Sequence, residues 1–331
     1  MINNNEFIGK LRDFLNMKFI HGTSMLLTGS IAEGLESPTS DVDIFYFGPQ
    51  AITPPLLNLI FEDRKIELTF WGENELNLVL DDLNRESYIG LSQRRLEQIS
   101  KLIRGFVIDG PIPEQLLIIR NSSCLFMERL ICYFYSMLQP MYDDVVGSDM
   151  HESEITASYQ ARCLFEFALE AFLVAGGDFY LKTKWRPRRI DRTYAQSEPV
   201  AIIFRKSVLG SPEQVRIKDF LYAVRRIFFR AILAIPDNIH QDILLSGSTQ
   251  YCISSWVFFY ADGDRYYVKS KQVMYSIDLT TLKILAAFNE PSNIETALHA
   301  CCFSLGIGQA KAKERIDALI NRKLIQPEHE A

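Results

Sequence analysis

The chain has 331 residues, of which 48% are hydrophobic and 23% charged, which is ordinary for a globular protein and enough for two or three domains. Its net charge of −6 at pH 7 argues against broad nucleic-acid binding, which usually needs a basic face, although a local basic patch is compatible with it. The N-terminal residues lack the layout of a signal peptide, and no apolar run reaches the roughly 18 residues of a membrane span. We therefore expect a cytoplasmic protein that does not cross a membrane.

The first third of the sequence predicts a small domain of strands and helices. Apolar residues recur on one face over 7–20, which indicates a short amphipathic helix. Three apolar segments, MLLTG, DVDIFYF and KIELTFW, predict strands, and ITPPLLNLIF between the last two predicts a helix or a linker. Residues 73–110 have a polar, helical pattern that ends at the turn signal Asp109-Gly110-Pro111, so the first domain should span 1–112.

The remainder of the chain predicts two further domains. Long runs of helical apolar periodicity fill 113–247 and predict a helical bundle, with a helix end at Gly176-Gly177. The pattern changes near Gln250 to short strands around the turn Asp262-Gly263-Asp264, followed by VMYSI and three helices. Residues 248–331 therefore predict a small winged-helix-like domain.

Two carboxylates, Asp41 and Asp43, stand one residue apart at the start of an otherwise apolar predicted strand. Strand alternation puts both on one face, with Val42 on the other, so the two charges repel each other. Taken alone, the pair fits an exposed strand edge. A third acid, Glu67, lies inside the strand KIELTFW, and three converging acids favour a divalent cation such as Mg²⁺, which prefers oxygen ligands.

A glycine and a serine, Gly29 and Ser30, precede these acids by a loop of ten residues. Glycine lets the backbone approach a phosphate closely, and the Ser30 hydroxyl and N–H can donate hydrogen bonds to it. Together with the acids, this pattern predicts phosphoryl or nucleotidyl transfer, in which metal ions hold the attacking and leaving oxygens.

The order Gly29-Ser30, Asp41-Val42-Asp43-Ile44 and then Glu67 resembles the signature of the polymerase β-like nucleotidyltransferase superfamily over about residues 20–110. The resemblance implies an α+β fold and two Mg²⁺ ions held by Asp41, Asp43 and Glu67. It also implies an NTP substrate, with ATP the first choice, whose terminal phosphates contact Ser30, and Glu67 as a candidate base toward the acceptor hydroxyl. The product would be a nucleoside monophosphate ester or anhydride, with pyrophosphate as the leaving group.

The segment ALEAFLVAGGDFYLKTKWRPRR resembles the helical domain of small-molecule nucleotidyltransferases of the aminoglycoside type. Its cations are Lys182, Lys184, Arg186, Arg188 and Arg189. Such a cluster could bind a triphosphate or pyrophosphate. The alternative is that these residues form a basic turn that is only solvated and binds no ligand. Lys184 is the first candidate for nucleotide binding and Lys182 the second, because Trp185 should anchor this segment in the core.

Two acids of the preceding helix, Glu166 and Glu170, are one turn apart. One of them could serve as a general base toward the acceptor. A salt-bridged or helix-surface role is the simpler expectation for both.

Residues 250–326 resemble the small peptide-recognition domains of enzymes that modify ribosomally made peptides, of the pyrroloquinoline-quinone chaperone type. Those domains bind a leader peptide by adding a strand to an exposed sheet edge. A DNA-binding winged helix and a purely structural cap are the alternatives. The cations of AKAKERIDALINRK are compatible with DNA binding. The aromatic strands WVFFY and RYYV favour a peptide or packing role instead.

These expectations combine into Mg²⁺-dependent transfer of a nucleoside monophosphate from an NTP to a non-nucleic-acid acceptor. A ribosomally made peptide is the leading acceptor, and a small molecule, as in antibiotic-inactivating enzymes, is close behind. A non-catalytic binding or regulatory module with this fold is the second hypothesis. The third, template-independent addition of RNA tails, is disfavoured by the acidic charge balance.

Overall fold

The computed structural model describes residues 4–18, 24–48, 56–151, 153–210, 215–233, 249–262, 265–271 and 273–330. The chain divides into two compact units. The first comprises Met1–Leu130 with Asp178–Arg189, and the second comprises Ile131–Gly177 with Ile190–Ala331. The division into three domains at 112 and 247 stays a prediction, and residue 247 lies outside the described residues.

The first unit mixes helices and strands, which confirms the predicted α+β class. Its elements are α1 (Asn4–Lys18), β1 (Ser24–Thr28), α2 (Gly29–Ala32), β2 (Val42–Phe47), β3 (Leu56–Phe61), β4 (Arg64–Trp71), α3 (Glu73–Leu83), α4 (Gln93–Arg104), β5 (Phe106–Asp109) and α5 (Glu114–Asn121). A further helix, α6 (Ser123–Ser136), begins in this unit and continues into the second.

The five strands of the first unit form one mixed sheet in the order β3-β4-β2-β1-β5. The central strand β2 runs parallel to β4 and antiparallel to β1. The outer strands β3 and β5 run antiparallel to β4 and β1, respectively. The start of β2, which contains Asp43 and directly follows Asp41, is therefore flanked by strands on both sides.

Helix α1 packs on this sheet through one apolar face. Phe7, Leu11 and Leu15 recur every four residues and are all buried, in a core that includes Val42 and Ile44 of β2. The helix predicted over 7–20 is thus present as far as Lys18, and residues 19 and 20 lie outside the described residues.

The prediction of a helix or linker over 52–61 was wrong where the structure describes it, because Leu56–Phe61 is the edge strand β3. A turn at Glu62-Asp63, with φ of 46° and 63°, joins it to β4. Exposed and half-buried residues alternate along β3, but both of its faces carry apolar side chains. The alternation of apolar and polar residues that usually marks a strand is therefore absent from this part of the sequence.

The helical pattern predicted over 73–110 also needs a correction at its end. Helices α3 and α4 are present, but Phe106–Asp109 forms β5 on the sheet edge. Gly105 ends α4, with its N–H donating to the carbonyl of Lys101 at 2.9 Å. Four residues are too few to reveal a strand by periodicity.

The cation-rich segment Asp178–Arg189 is anchored to α4 within the first unit. The Ser100 hydroxyl donates to the carbonyl of Phe179 at 2.7 Å, and Gln93 Nε2 donates to the carbonyl of Leu181 at 3.3 Å. The segment that sequence reasoning assigned to the helical middle of the chain therefore belongs with the sheet that carries the acids.

The second unit contains the predicted long helices. They are α7 (Leu138–His151), α8 (Glu154–Ala175), α9 (Arg186–Thr193, which begins in the first unit), α10 (Pro199–Leu209) and α11 (Ile217–Ala231). Helix α8 packs against both α7 and α11 and ends at Gly176, as predicted. In the part of the chain that the structure describes, no helix has both the length and the apolar character needed to cross a membrane.

The C-terminal part of the second unit combines short strands with three helices. Its elements are β6 (Tyr251–Ile253), β7 (Val257–Asp262), β8 (Arg265–Ser270), β9 (Val273–Ile277), α12 (Leu279–Ala286), α13 (Ile294–Phe303), α14 (Gln309–Asn321) and β10 (Ile325–Pro327). Strands β7, β8 and β9 form an antiparallel sheet in that order, and β6 pairs with β10. Gly263 and Asp264 of the predicted turn lie outside the described residues. The winged-helix assignment stays a prediction.

Side chains of the helices hold the C-terminal strands in place. The ring of Tyr142 on α7 stacks on Phe258, with centroids 4.8 Å apart. Arg225 of α11 is buried, and its Nη1 donates to the carbonyls of Ser255 at 2.8 Å and Val257 at 3.3 Å. The turn between β6 and β7 is therefore fixed to the helices of the same unit.

Candidate active site

The sheet of the first unit brings two of the predicted acids together. Asp43 of β2 is in register with Glu67 of β4, and the same row continues to Asn58 of β3 and Thr28 of β1. Residues in register on neighbouring strands point to the same face of a sheet. Asp43 and Glu67 are therefore neighbours, as their positions in the sequence led us to expect.

The third acid, Asp41, lies just before β2 and is linked to Glu67 through a lysine. The Nζ atom of Lys65 is 3.9 Å from Asp41 Oδ2 and 3.5 Å from Glu67 Oε2. A second lysine, Lys101 of α4, donates to Asp43 Oδ1 at 3.2 Å. The positive charges of the two lysines offset the mutual repulsion of the three carboxylates.

The donor set of this site fits Mg²⁺, which binds through carboxylate oxygens and retains several waters. Asp41, Asp43 and Glu67 offer such oxygens at one end of β2 and β4. Their present arrangement holds lysine ammonium groups instead, and within the described ranges no three acidic, histidine or cysteine residues are grouped closely enough to hold a metal ion. A cation held by all three acids would have to displace Lys65.

Gly29 is required where it stands, because its backbone meets the Asp43 carboxylate. Its φ is +72°, and a Cβ atom there would lie 1.9 Å from Asp43 Oδ2. Ser30 follows in α2 and is buried. The predicted phosphate-binding pair thus begins beside one of the predicted metal ligands.

The loop between Ser30 and Asp41 is held by arginines from α4 and from the cation-rich segment. Arg104 forms an ion pair with both carboxylate oxygens of Glu33, with 2.6 Å between Nη2 and Oε2. Arg188 Nη1 donates to the carbonyls of Leu35 at 3.1 Å and Glu36 at 3.3 Å. These contacts fix the path of the chain toward Asp41.

The two predicted nucleotide-binding lysines have different surroundings. Lys182 forms an ion pair with Glu97 of α4, whereas Lys184 is exposed, with its Nζ 5.4 Å from the centroid of the Trp185 ring. Trp185 is half-buried with its indole Nε1 buried, and Arg188 also lies over its ring, at 5.2 Å, so its role as a core anchor stays a prediction. The ring serves as a platform for cations.

Sequence reasoning missed three residues near the acids: Lys65, Lys101 and Tyr180. Lys65 shares a strand face with Glu67, which was a usable signal, but Lys101 and Tyr180 come from distant parts of the sequence. Tyr180 is buried, and burial, together with the negative charges of Asp43, Glu33 and Glu97, raises its pKa. Its hydroxyl therefore stays protonated at neutral pH.

The acids considered as alternative bases, Glu166 and Glu170, belong to α8 in the second unit. Glu166 Oε1 accepts a hydrogen bond from Arg162 Nε at 2.8 Å, which is the salt-bridged role that we expected. Glu170 is buried, with 5% of its surface exposed, and is not a helix-surface residue.

Part of the chain is similar to known proteins. Residues 8–102 match the family model of the nucleotidyltransferase domain. Among solved structures, the chain is similar to a nucleotidyltransferase-like protein from Exiguobacterium sibiricum 255-15, at 13% identity and a TM-score of 0.37, over 69% of this chain and 76% of that one. No curated protein matches the chain significantly. The family match encloses Gly29, Ser30 and all three acids, so residues 8–102 are similar to a nucleotidyltransferase domain.

Proposed function

We propose that this protein is a Mg²⁺-dependent nucleotidyltransferase that moves a nucleoside monophosphate from an NTP, with ATP the first choice, to an acceptor other than nucleic acid. The observation that carries the proposal is the register pair of Asp43 and Glu67, with the backbone of Gly29 against Asp43. This pair offers carboxylates to a cation, and the adjacent glycine turn offers backbone donors to a phosphate.

Asp41, Asp43 and Glu67 would hold two Mg²⁺ ions. When bound, the ions neutralise phosphate charge and orient the attacking and leaving oxygens. Side chains and backbone groups of the chain itself would bind the nucleotide phosphates. The hydroxyl of Ser30 and the N–H groups of this turn would donate to the terminal phosphates, and Lys184, which is exposed, would add a cation. Lys182 would first have to leave Glu97.

The reaction would be an in-line displacement at the α-phosphorus. The acceptor oxygen forms a bond to that phosphorus, while the bond from the phosphorus to the oxygen that bridges to the β-phosphate breaks. Pyrophosphate leaves, and Glu67 accepts the proton of the acceptor hydroxyl as general base. Glu67 is accessible for this role, because 35% of its side chain is exposed.

The leading acceptor is a ribosomally made peptide, held by the C-terminal part of the chain. Among the described strands, β9 lies at an edge of its sheet, so the backbone groups on its outer side could pair with an added strand. The resemblance of residues 250–326 to peptide-recognition domains supports the same acceptor. We place the reaction in the cytoplasm, where NTPs and newly made peptides are found.

Two alternatives remain for the same site. A small hydroxyl-bearing molecule could replace the peptide without any change in the chemistry. A non-catalytic binding or regulatory module with this fold is the second alternative.

One experiment separates these proposals. The purified protein is incubated with Mg²⁺ and each of the four NTPs, in the presence of candidate precursor peptides or of a panel of hydroxyl-bearing small molecules. A nucleoside monophosphate mass on a peptide supports the leading proposal, and the same mass on a small molecule moves the acceptor to that class. Absence of both products and of pyrophosphate would contradict catalysis and favour the binding module.

A further inference from the structure

A cavity of about 1200 Å³ lies within the second unit. Its walls come from the first turns of α8 and α11, the turn before β7, the strands β8 and β9, and the residues that follow α14. Sites for drug-sized ligands usually measure roughly 300–1,000 Å³, so this cavity has room for a longer molecule. Because helices α8 and α11 contribute, the cavity extends beyond the strands and helices of residues 250–326.

The lining of the cavity is strongly cationic. Among its described residues, Glu154 is the one carboxylate. The cations are Arg162, Arg216, Lys218, Lys271, Arg322 and Lys323. An excess of five positive charges (six cations less one carboxylate) is notable on a chain whose net charge is −6.

Four of the six cations have no ion-pair partner among the residues that the structure describes. Arg162 and Arg216 pair with acids of their own helices, at 2.8 Å and 3.4 Å. The other four cations form no ion pair within the described ranges, and two of them lie over aromatic rings of the cavity wall. Lys271 is 5.0 Å from the centroid of Trp256, and Arg322 is 5.4 Å from that of Tyr275.

Apolar side chains stand exposed beside these cations. Ile155 and Tyr159 of α8 are 83% and 68% exposed, and Val273 of β9 is 52% exposed. Exposed apolar side chains grouped at a cavity usually mark a binding surface. The occupant should therefore carry both negative charges and apolar side chains.

We infer that this cavity binds an acidic peptide segment that alternates carboxylates with apolar residues. Electrostatic complementarity of this kind favours association and selects the partner. A single-stranded RNA would satisfy the cations and aromatic rings, but it offers nothing to the aliphatic Ile155 and Val273. The inference rests on the proposed function, because it gives the chemical character of the proposed peptide acceptor.

The test measures binding without nucleotide, so that it does not depend on transfer. The probe is a fluorescein-labelled decapeptide in which glutamates alternate with leucine and valine, followed by fluorescence anisotropy. Its controls are the same peptide with glutamine in place of glutamate and a labelled decauridylate. The test variant is Lys218→Glu/Arg322→Glu, and the matched control is Lys311→Glu/Lys313→Glu, which reverses two exposed charges on α14 outside the cavity.

We expect the glutamate peptide to bind the wild-type chain more weakly as salt rises, and the cavity variant to lose about tenfold or more in affinity. The control variant should bind like the wild type, and both variants should unfold at similar temperatures. Equal binding by the two variants, equal binding of the glutamine peptide, preference for decauridylate, or no binding to the wild type would each overturn the inference. A peptide that binds but is never modified would instead leave this site standing and count against the proposed reaction.

Discussion

Lys101 on α4 donates to the Oδ1 atom of Asp43 at 3.2 Å, so the carboxylate predicted to bind a metal is already paired with a cation. Lys65 likewise forms ion pairs with Asp41 and Glu67. These lysines allow three acids to stay close together without a metal ion. Metal binding at this site is then an exchange of one cation for another.

Substitution of Lys65 by methionine should strengthen Mg²⁺ binding. The change removes the ammonium group that competes for Asp41 and Glu67, and we expect an affinity gain of about three- to tenfold. Isothermal titration with Mg²⁺ measures this directly. Lys10→Met is the matched control, because Lys10 pairs with exposed Glu6 away from the site. Unchanged or weaker binding in Lys65→Met would contradict the exchange.

Alanine at Gly29 should destabilise the protein far more than alanine at Gly34. Both glycines have positive φ, of 72° and 65°, so each substitution should cost about 1 kcal/mol in the free energy of unfolding through the backbone alone. A methyl group at Gly29 also overlaps Asp43 Oδ2, whereas nothing lies within 4 Å of one at Gly34. We expect an additional loss of about 1–3 kcal/mol at Gly29, measured by denaturant unfolding. Equal losses at the two positions would show that the Gly29 backbone does not press on Asp43.

Asparagine at position 43 should remove metal binding while the fold survives. The substitution loses the ion pair with Lys101 but relieves the repulsion from Glu67, so the free energy of unfolding should stay within about 1 kcal/mol of the wild type. Titration with Mg²⁺ and thermal unfolding test the two halves of this prediction. Asp63→Asn, in the turn after β3, is the control, since asparagine tolerates its φ of 63°. Wild-type Mg²⁺ affinity in Asp43→Asn would refute the assignment of this ligand.

Methionine at Arg189 should destabilise the cation-rich segment strongly. Arg189 is fully buried, and its Nε lies 3.0 Å from the carboxylate of Asp178, which is also buried. Removing one partner of a buried pair leaves an uncompensated charge and typically costs about 3–5 kcal/mol. Arg205→Met, which breaks the half-exposed pair with Asp191, should cost about 1 kcal/mol or less. Denaturant unfolding of the two variants compares them, and similar losses would mean that the buried pair does not support this segment.

The acidic part of the candidate site was predictable because strand alternation and chain order suffice to place it. Asp43 and Glu67 lie in apolar segments long enough to predict strands, and parallel pairing of those strands sets them side by side. Lys101 and Tyr180 were beyond reach, because they meet Asp43 only through the packing of α4 and of Asp178–Arg189 on the sheet.

The fold was predicted best where periodicity extends over many residues. The long helices α8 and α11 follow from their apolar repeats. The edge strands β3 and β5 were missed, since one has apolar side chains on both faces and the other has only four residues.

The most direct test of the central claim is nucleotidyl transfer by the wild-type chain beside Asp43→Asn, followed by mass spectrometry of the acceptor and by pyrophosphate release in the presence of Mg²⁺. We expect a nucleoside monophosphate adduct and stoichiometric pyrophosphate for the wild type, and a rate lower by about a thousandfold or more for Asp43→Asn. Equal turnover by the two proteins, or none by the wild type with any NTP and acceptor, would contradict it.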